Sequence, residues 1–294
     1  MDERLELEIV RRAYAKQIMA AIGLNDLGLE KAFASIPRED FLGPGPWQTF
    51  RGPGFYTPTP SDDPVYLYTD MVFGIVPERN INNGQPSLHA VLLGTVGIKQ
   101  GEHVVHVGAG AGYYTAIMAR LAGSSGRVTA VEIDPELADL AKKNLSIFPN
   151  IHVLHANGAD GDFDAADVIY VNAGTTRPAE RWLDRLSYNG RLVLPLTTDE
   201  SELPSDDGTV DAAKMARRGA VFLVERKGAD FYARWICPAA YILAEGMRDA
   251  VSEAALAKAF KNGDGQNVTR LFRSDEIAAE RCWLQGNGWC LAYE

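Results

Sequence analysis

Cysteine is scarce in this chain, and so are the features that would assign it to a membrane, a nucleic acid or a disulfide scaffold. Only Cys237, Cys282 and Cys290 occur, an odd set without CxxC spacing, which excludes a disulfide framework and a cysteine zinc site. Three free, mostly buried thiols are expected. Cys282 and Cys290 flank "WLQGNGW", which reads as a hairpin across which the two could face each other; in a reducing compartment such a pair stays reduced. No apolar run approaches a membrane span, and the N-terminus, charged from its second residue, lacks a signal peptide's apolar stretch. A cytoplasmic protein without a membrane partner is predicted. No lysine or arginine run is long enough to follow a phosphate backbone, and 29 basic against 39 acidic residues leave a net charge of -10, so nucleic acid is not an expected partner. The histidines form no ligand cluster: His103, His106, His152 and His155 fall in predicted strands, where packing is expected over metal ligation.

What the chain does have is the 46% apolar content of an ordinary globular protein, over 294 residues. Apolar positions Leu5, Ile9, Tyr14, Ile18 and Ile22 predict a helix over 5–22, stopped by Gly23, and a second helix follows over 26–36. Residues 37–64 gather seven prolines and read as an irregular loop packed by its aromatics. From Glu102 onward strand and helix patterns alternate: "HVVHVG", "YYTAIMARLA", "RVTAVEID", "PELADLAKKNL", "IHVLHANG", "ADVIYVNAG", "PAERWLDRL", "GRLVLPL". Continuous apolar strands alternating with amphipathic helices predict a doubly wound, mostly parallel α/β sheet of the Rossmann-like class. An acidic surface loop is expected after Leu196, then the strands "GAVFLVERKG" and "FYARWICP", a helix over 253–260 and a terminal hairpin. The division is a helical and loop cap at 1–95, a core at 96–240 and an α+β extension at 241–294.

The chemistry concentrates at "VGAGAG". Gly108, Gly110 and Gly112 permit a tight turn that brings backbone N–H groups close to a ligand at a helix start. The dinucleotide fingerprint requires a third glycine at residue 113, where this chain has tyrosine, so the GxGxG pattern favours S-adenosyl-L-methionine over NAD. The second strand ends in "VEID", placing Glu132 where a carboxylate accepts ribose hydroxyls, with Ile133 beside it. Alone, a glycine turn is often only a connection and Glu132 only a surface acid; in register after successive strands they predict a nucleoside site comprising Gly108, Ala109, Gly110, Gly112, Glu132 and Ile133. Asp134, before Pro135, reads as a helix N-cap. Asn157 and Gly158, at the third strand end, are expected at the adenine edge, with the Asn157 side-chain oxygen as acceptor.

Taken together, "IPREDFLGP", "YTD" at Tyr68 to Asp70, "NNGQPSLHA", "VGAGAGYYTA", "VEID" and "GRLVLPL" resemble, in order and spacing, the protein-L-isoaspartate (D-aspartate) O-methyltransferase family over about Ile36 to Leu196. The resemblance implies a class I methyltransferase fold, S-adenosyl-L-methionine as cofactor, and a protein or peptide partner carrying an isoaspartyl carboxylate. It also implies that the loop Asn83, Gly84, Gln85, Pro86 lies over the cofactor's methyl group and receives that carboxylate. The family's loop serine falls on Gly84 and its preceding Thr-Ile on Asn82 and Asn83, whereas Gln85 and Pro86 match and His89 matches a histidine that some members have. Ala109 and Ala111 replace hydroxyl residues, and Asn157 an acidic one. If isoaspartyl methylation is retained, the amide of Asn82 or Asn83, or the backbone N–H of Gly84, is expected to replace the serine's hydrogen bond, and Gly84→Ser to preserve or raise activity.

A carboxylate acceptor is already ionised at neutral pH and needs no general base, so holding donor and acceptor together in a dry site suffices. A hydroxyl or amine acceptor would need one, and His89 is the candidate at hand. Arg177 could clamp a carboxylate or be a solvated helix-start arginine, and Thr175 or Thr176 could cap the helix expected near Pro178. The alternatives are a methyltransferase retargeted to another peptide or small-molecule acceptor, a cofactor-binding module without chemistry, and an NAD enzyme.

Overall fold

The computed structural model describes residues 3–52, 55–199, 218–274 and 276–293. Residues 200–214, most of the expected acidic loop, lie outside them. The first elements are α1 (Glu3–Ala21), α2 (Leu27–Ser35), β1 (Gln48–Gly52), β2 (Phe55–Pro58), β3 (Gly74–Val76), β4 (Ile81–Asn82) and α3 (Pro86–Val96). The alternating region follows as β5 (His103–Val107), α4 (Tyr113–Ala122), β6 (Arg127–Glu132), α5 (Pro135–Asn144), β7 (Ile151–His155), β8 (Ala166–Val171), α6 (Glu180–Arg185) and β9 (Leu186–Thr197). Then come β10 (Gly219–Lys227), β11 (Asp230–Pro238), α7 (Ala250–Asn262), β12 (Arg270–Phe272), β13 (Cys282–Gly286) and β14 (Trp289–Ala292). The chain forms two compact units, one of Met1–Glu102 with Ala109–His155, the other of His103–Gly108 with Ala156–Glu294.

In the first unit, α1 turns Tyr14, Ala15, Ile18 and Met19 inward and α2 turns Leu29, Ala32 and Phe33 inward. Asp26 starts α2 by accepting from the N–H groups of Gly28 and Leu29. The proline-rich segment departs from the expected loop: β1 and β2 pair as an antiparallel hairpin, and a single 3-10 turn covers Glu39–Phe41. Proline is tolerated because the one within the described strand residues, Pro58, stands at the end of β2. Of the segment's aromatics Phe41 and Trp47 are buried as expected, Trp47 against Leu67 and Phe73, whereas Phe55 is exposed. Strands β6 and β7 are parallel, with Val128 opposite Ile151 and Glu132 opposite His155. Asp134 caps α5 through Glu136 and Leu137, as its sequence context predicts.

In the second unit the strand order is β13-β14-β12-β11-β10-β9-β8-β5. The pairs β5 with β8 and β8 with β9 are parallel. From β10 outward every pairing is antiparallel, so the strands after "GRLVLPL" extend the parallel part as an antiparallel meander. Val168 to Val171 and Leu192 to Leu194 are all inaccessible, which accounts for apolar runs that do not alternate. Phe222 and Trp235, on β10 and β11, form an aromatic cluster with Phe260 and Trp283 of the 241–294 segment.

The terminal hairpin corrects the thiol expectation. Strands β13 and β14 bring Cys282 and Cys290 to a Cα separation of 6.1 Å, and the two are joined as a disulfide, leaving Cys237 as the free cysteine among the described residues. Their spacing across a tight turn makes that contact available, which an odd cysteine count does not reveal. Among the described residues no helix is long and apolar enough to cross a membrane, and no cluster of His, Cys, Asp and Glu could hold a metal ion.

Candidate active site

The glycine turn takes the backbone its composition demands. Gly108, Gly110 and Gly112 have φ of 75°, 54° and 98°, values that an L side chain adopts only at a cost. Gly112 is also the N-cap of α4, and a Cβ there would press on Leu145 at 2.8 Å. Ala109 is buried and donates its N–H to the Val131 carbonyl at 3.2 Å, and the Ala111 carbonyl accepts from Asn144. Glu132, the last residue of β6, is 6% exposed. Its Oε2 accepts from Gly110 N–H at 2.7 Å, and its Oε1 accepts from Ile133 and Asp134 N–H at 2.9 and 3.1 Å. Burial raises the Glu132 pKa, and these three N–H groups offset only part of the rise. A carboxylate has about four acceptor positions. Three are taken by backbone, so the turn and the strand end hold the acid in place and leave one acceptor position on Oε2.

The 82–86 loop is a second construction in the same unit. Asn83 exchanges two hydrogen bonds with Phe73: its N–H donates to the Phe73 carbonyl at 2.9 Å, and its side-chain oxygen accepts from Phe73 N–H at 2.8 Å. The Asn82 side-chain oxygen accepts from Gly84 N–H at 3.0 Å. Of the groups expected to replace the serine's hydrogen bond, the Gly84 N–H is thus already engaged by Asn82, and the Asn82 side-chain nitrogen donates to the Asn80 carbonyl at 3.3 Å. Gly84 has φ +72°, and a Cβ built there would overlap the His89 imidazole. The His89 ring lies stacked on Tyr114 at 3.6 Å, and the Tyr114 hydroxyl donates to the Gly84 carbonyl. Gln85 precedes α3, and Pro86 is its first, buried residue.

Sequence reasoning missed what fixes this loop. Asp70 accepts from Ser87 N–H at 2.8 Å and from the Gln85 side chain at 3.1 Å, so a carboxylate 17 residues upstream caps α3 in place of the usual N-cap side chain. Asp70 is in turn held by its own segment. Arg38, with no exposed surface, donates to the carbonyls of Leu67, Thr69 and Met71. Its guanidinium lies 5.2 to 5.7 Å from the ring centres of Phe73, Tyr14 and Tyr113. Tyr68 donates to Glu39 and accepts from Arg11 at 2.9 Å. The "PRED" and "YTD" blocks are thus two halves of one buried polar support. The available signal was a charged triplet set among apolar neighbours, with nothing to name its partners.

In the second unit, the Gly108 carbonyl accepts from the Asn172 side chain at 3.2 Å. Gly158 is packed against Val107 too closely for any Cβ, and its carbonyl accepts from Trp182. The Asn157 side-chain oxygen, expected to meet adenine, accepts from Ala159 N–H at 2.9 Å. The threonines after β8 do not cap α6: Thr175 donates to the Pro195 carbonyl and Thr176 bonds Ser252, while α6 begins at Glu180 without a side-chain cap. The chain turns back into the strand ends before it becomes helical, and the hydroxyls follow it. Arg177 pairs with Asp249 at 3.8 Å beside an open cavity of about 620 Å³ that Arg181 and Arg185 also line.

An alternating strand and helix order, a positive-φ glycine turn and a strand-end acid bonded to that turn together make up the fold of the class I S-adenosylmethionine-dependent methyltransferases. The family model for protein-L-isoaspartate (D-aspartate) O-methyltransferase matches residues 55–218, and the chain belongs to that family. It is 30% identical over 217 residues to the protein-L-isoaspartate O-methyltransferase of Thermotoga maritima, covering 71% of this chain and 58% of that one. It is 41% identical over 165 residues to that of Methanocella arvoryzae, covering 55% and 78%. A solved protein-L-isoaspartate O-methyltransferase superposes with a TM-score of 0.62 at 25% identity, over 90% of this chain and 74% of the other. A Plasmodium falciparum structure in complex with S-adenosyl-L-homocysteine shares the fold, with a TM-score of 0.60 at 16% identity over 80% and 98%.

Proposed function

We propose that this chain transfers a methyl group from S-adenosyl-L-methionine to the carboxylate of an isoaspartyl residue in a protein or peptide, in the cytoplasm. The observation that carries the reading is the Glu132 carboxylate fixed to Gly110 at the mouth of the glycine turn, in a chain whose family is established by its matching residues. When bound, the cofactor supplies an electrophilic methyl on a sulfonium, and its transfer to a carboxylate oxygen leaves a neutral ester and S-adenosyl-L-homocysteine. The chain's own part is positioning. Glu132 holds the ribose, and the 82–86 loop, anchored by Asn83 on Phe73 and by Asp70 on α3, receives the acceptor. No side chain has to take a proton, because the acceptor is ionised at neutral pH.

A second reading, a methyltransferase retargeted to another peptide or small-molecule acceptor, is favoured by one observation: position 84 offers no hydroxyl and has no room for one. The deciding experiment is methyl transfer from labelled S-adenosyl-L-methionine to an isoaspartyl peptide, its aspartyl counterpart and a cell extract. Labelling of the isoaspartyl peptide alone is the expected result. A silent isoaspartyl peptide beside a labelled extract component would replace the first reading with the second.

A further inference from the structure

We propose that Gly84, His89 and Tyr114 form one interlocked support for the acceptor loop, with His89 and Tyr114 as positioning residues and Gly84 obligatory because the imidazole occupies the space of any side chain at that position. The proposal rests on the 82–86 loop being the acceptor loop.

Three independent contacts converge on Gly84. Its N–H is held by Asn82 at 3.0 Å, its carbonyl by the Tyr114 hydroxyl at 3.3 Å, and its Cα faces the edge of the His89 ring. A Cβ there would overlap His89 Nε2 and lie 3.0 Å from Cδ2. The ring cannot swing aside cheaply. It is 1% exposed, it rises from the first turn of α3, and it is stacked on Tyr114 with 16° between the planes. Tyr114 is itself buried, 3% exposed, in α4. Displacing the imidazole would break the aromatic stack and remove the surface on which the loop rests, in a close-packed interior that does not refill. The conformation adds a second barrier, since φ +72° at residue 84 disfavours every L side chain.

This arrangement reverses the expectation that Gly84→Ser preserves or raises activity. In this loop conformation, at φ +72°, a side chain at residue 84 and the His89 ring compete for the same space. The acceptor is positioned by a main chain clamped between Asn82 and Tyr114, not by a side chain at residue 84. The stack is a positioning device, because the imidazole is covered and acts only through the loop above it.

The test uses the full chain in four forms: wild type, Gly84→Ser, His89→Ala and the double variant, with Tyr114→Phe as a fifth. Cofactor affinity is measured by calorimetry and turnover on an isoaspartyl peptide by steady-state kinetics. Gly84→Ser is expected to lose tenfold or more in kcat/KM, mainly through peptide KM, with cofactor affinity within about threefold of wild type. Adding His89→Ala to Gly84→Ser should recover part of that loss, so the two changes are non-additive; residual strain at φ +72° keeps the recovery incomplete. Tyr114→Phe should raise peptide KM while sparing cofactor affinity. Gly84→Ser as active as wild type, or a double variant whose losses simply add, overturns the proposal. If wild type binds cofactor but ignores isoaspartyl peptide, the functional reading fails alone. The interlock is then read from unfolding midpoints of the same variants, where the same non-additivity is expected and additive destabilisation overturns it.

Discussion

His106 is fully buried in β5, edge-on to Tyr170 with ring centres 5.6 Å apart. Burial lowers its pKa from 6.5 to about 3. The unfolded chain therefore binds a proton that the folded chain refuses. The stabilisation from a neutral His106 is complete above about pH 6.5 and is lost progressively as pH falls toward 3, at up to about 1.4 kcal/mol per pH unit. Urea midpoints of wild type and His106→Leu measured between pH 7 and pH 4.5 should diverge by a slope equivalent to about one proton. Parallel profiles would contradict the assignment. At the same scale, the sequence identified Asp134 as a cap, because its partners stand two and three residues away, whereas the bond between Glu132 and Gly110 spans 22 residues. It could not show that Asn83 is committed to Phe73 or that His89 stands under Gly84, since those contacts form only when the loop folds back on α3 and α4.

At the scale of elements, α3 has no capping side chain of its own, and its first turn is completed by Asp70. The Asp70 segment is in turn fastened by Arg38. Arg38→Met keeps the apolar stem and deletes the donors to three carbonyls. The Leu67 carbonyl contact is buried and those of Thr69 and Met71 part-buried; a buried acceptor left unsatisfied costs about 1–3 kcal/mol, so chemical denaturation should show a loss of at least about that size, and partially active preparations should show a raised peptide KM. A loss under about 1 kcal/mol would mean that the carbonyls find other donors. The proline-rich hairpin teaches a related lesson: proline density argued for loop, yet β1 and β2 pair, because prolines at strand ends leave the ladder intact.

For the whole molecule, a ligand that binds only the folded chain must stabilise it. S-adenosyl-L-homocysteine at one hundred times its dissociation constant should add about 2.7 kcal/mol, a rise of several degrees in Tm. Glu132→Ala removes a charged hydroxyl acceptor, which corresponds to a roughly tenfold to hundredfold loss of affinity. At the same ligand concentration the added stability should fall to between about 1.4 and 0.4 kcal/mol. An unchanged shift would remove Glu132 from the ribose. The apo variant is the control, because Glu132 also anchors three backbone N–H groups.

By itself the sequence determined the alternating strand and helix order, the positive-φ glycine turn with its strand-end acid, and the cap of α5. All of these rest on periodicity, on backbone conformations that only glycine favours, or on hydrogen bonds spanning a few residues. The family blocks were legible as blocks for the same local reason. Only the tertiary structure decided what joins them: Arg38 to the 67–71 carbonyls, Asp70 to α3, Tyr114 and His89 to Gly84, Cys282 to Cys290. Each of these couples residues distant in sequence, through hydrogen bonds that satisfy polar groups, stacked rings or a covalent bond that form only in one particular packing. A linear pattern carries no term for that, so the sequence marked the loop at residue 84 as exceptional and the packing beneath it supplied the reason.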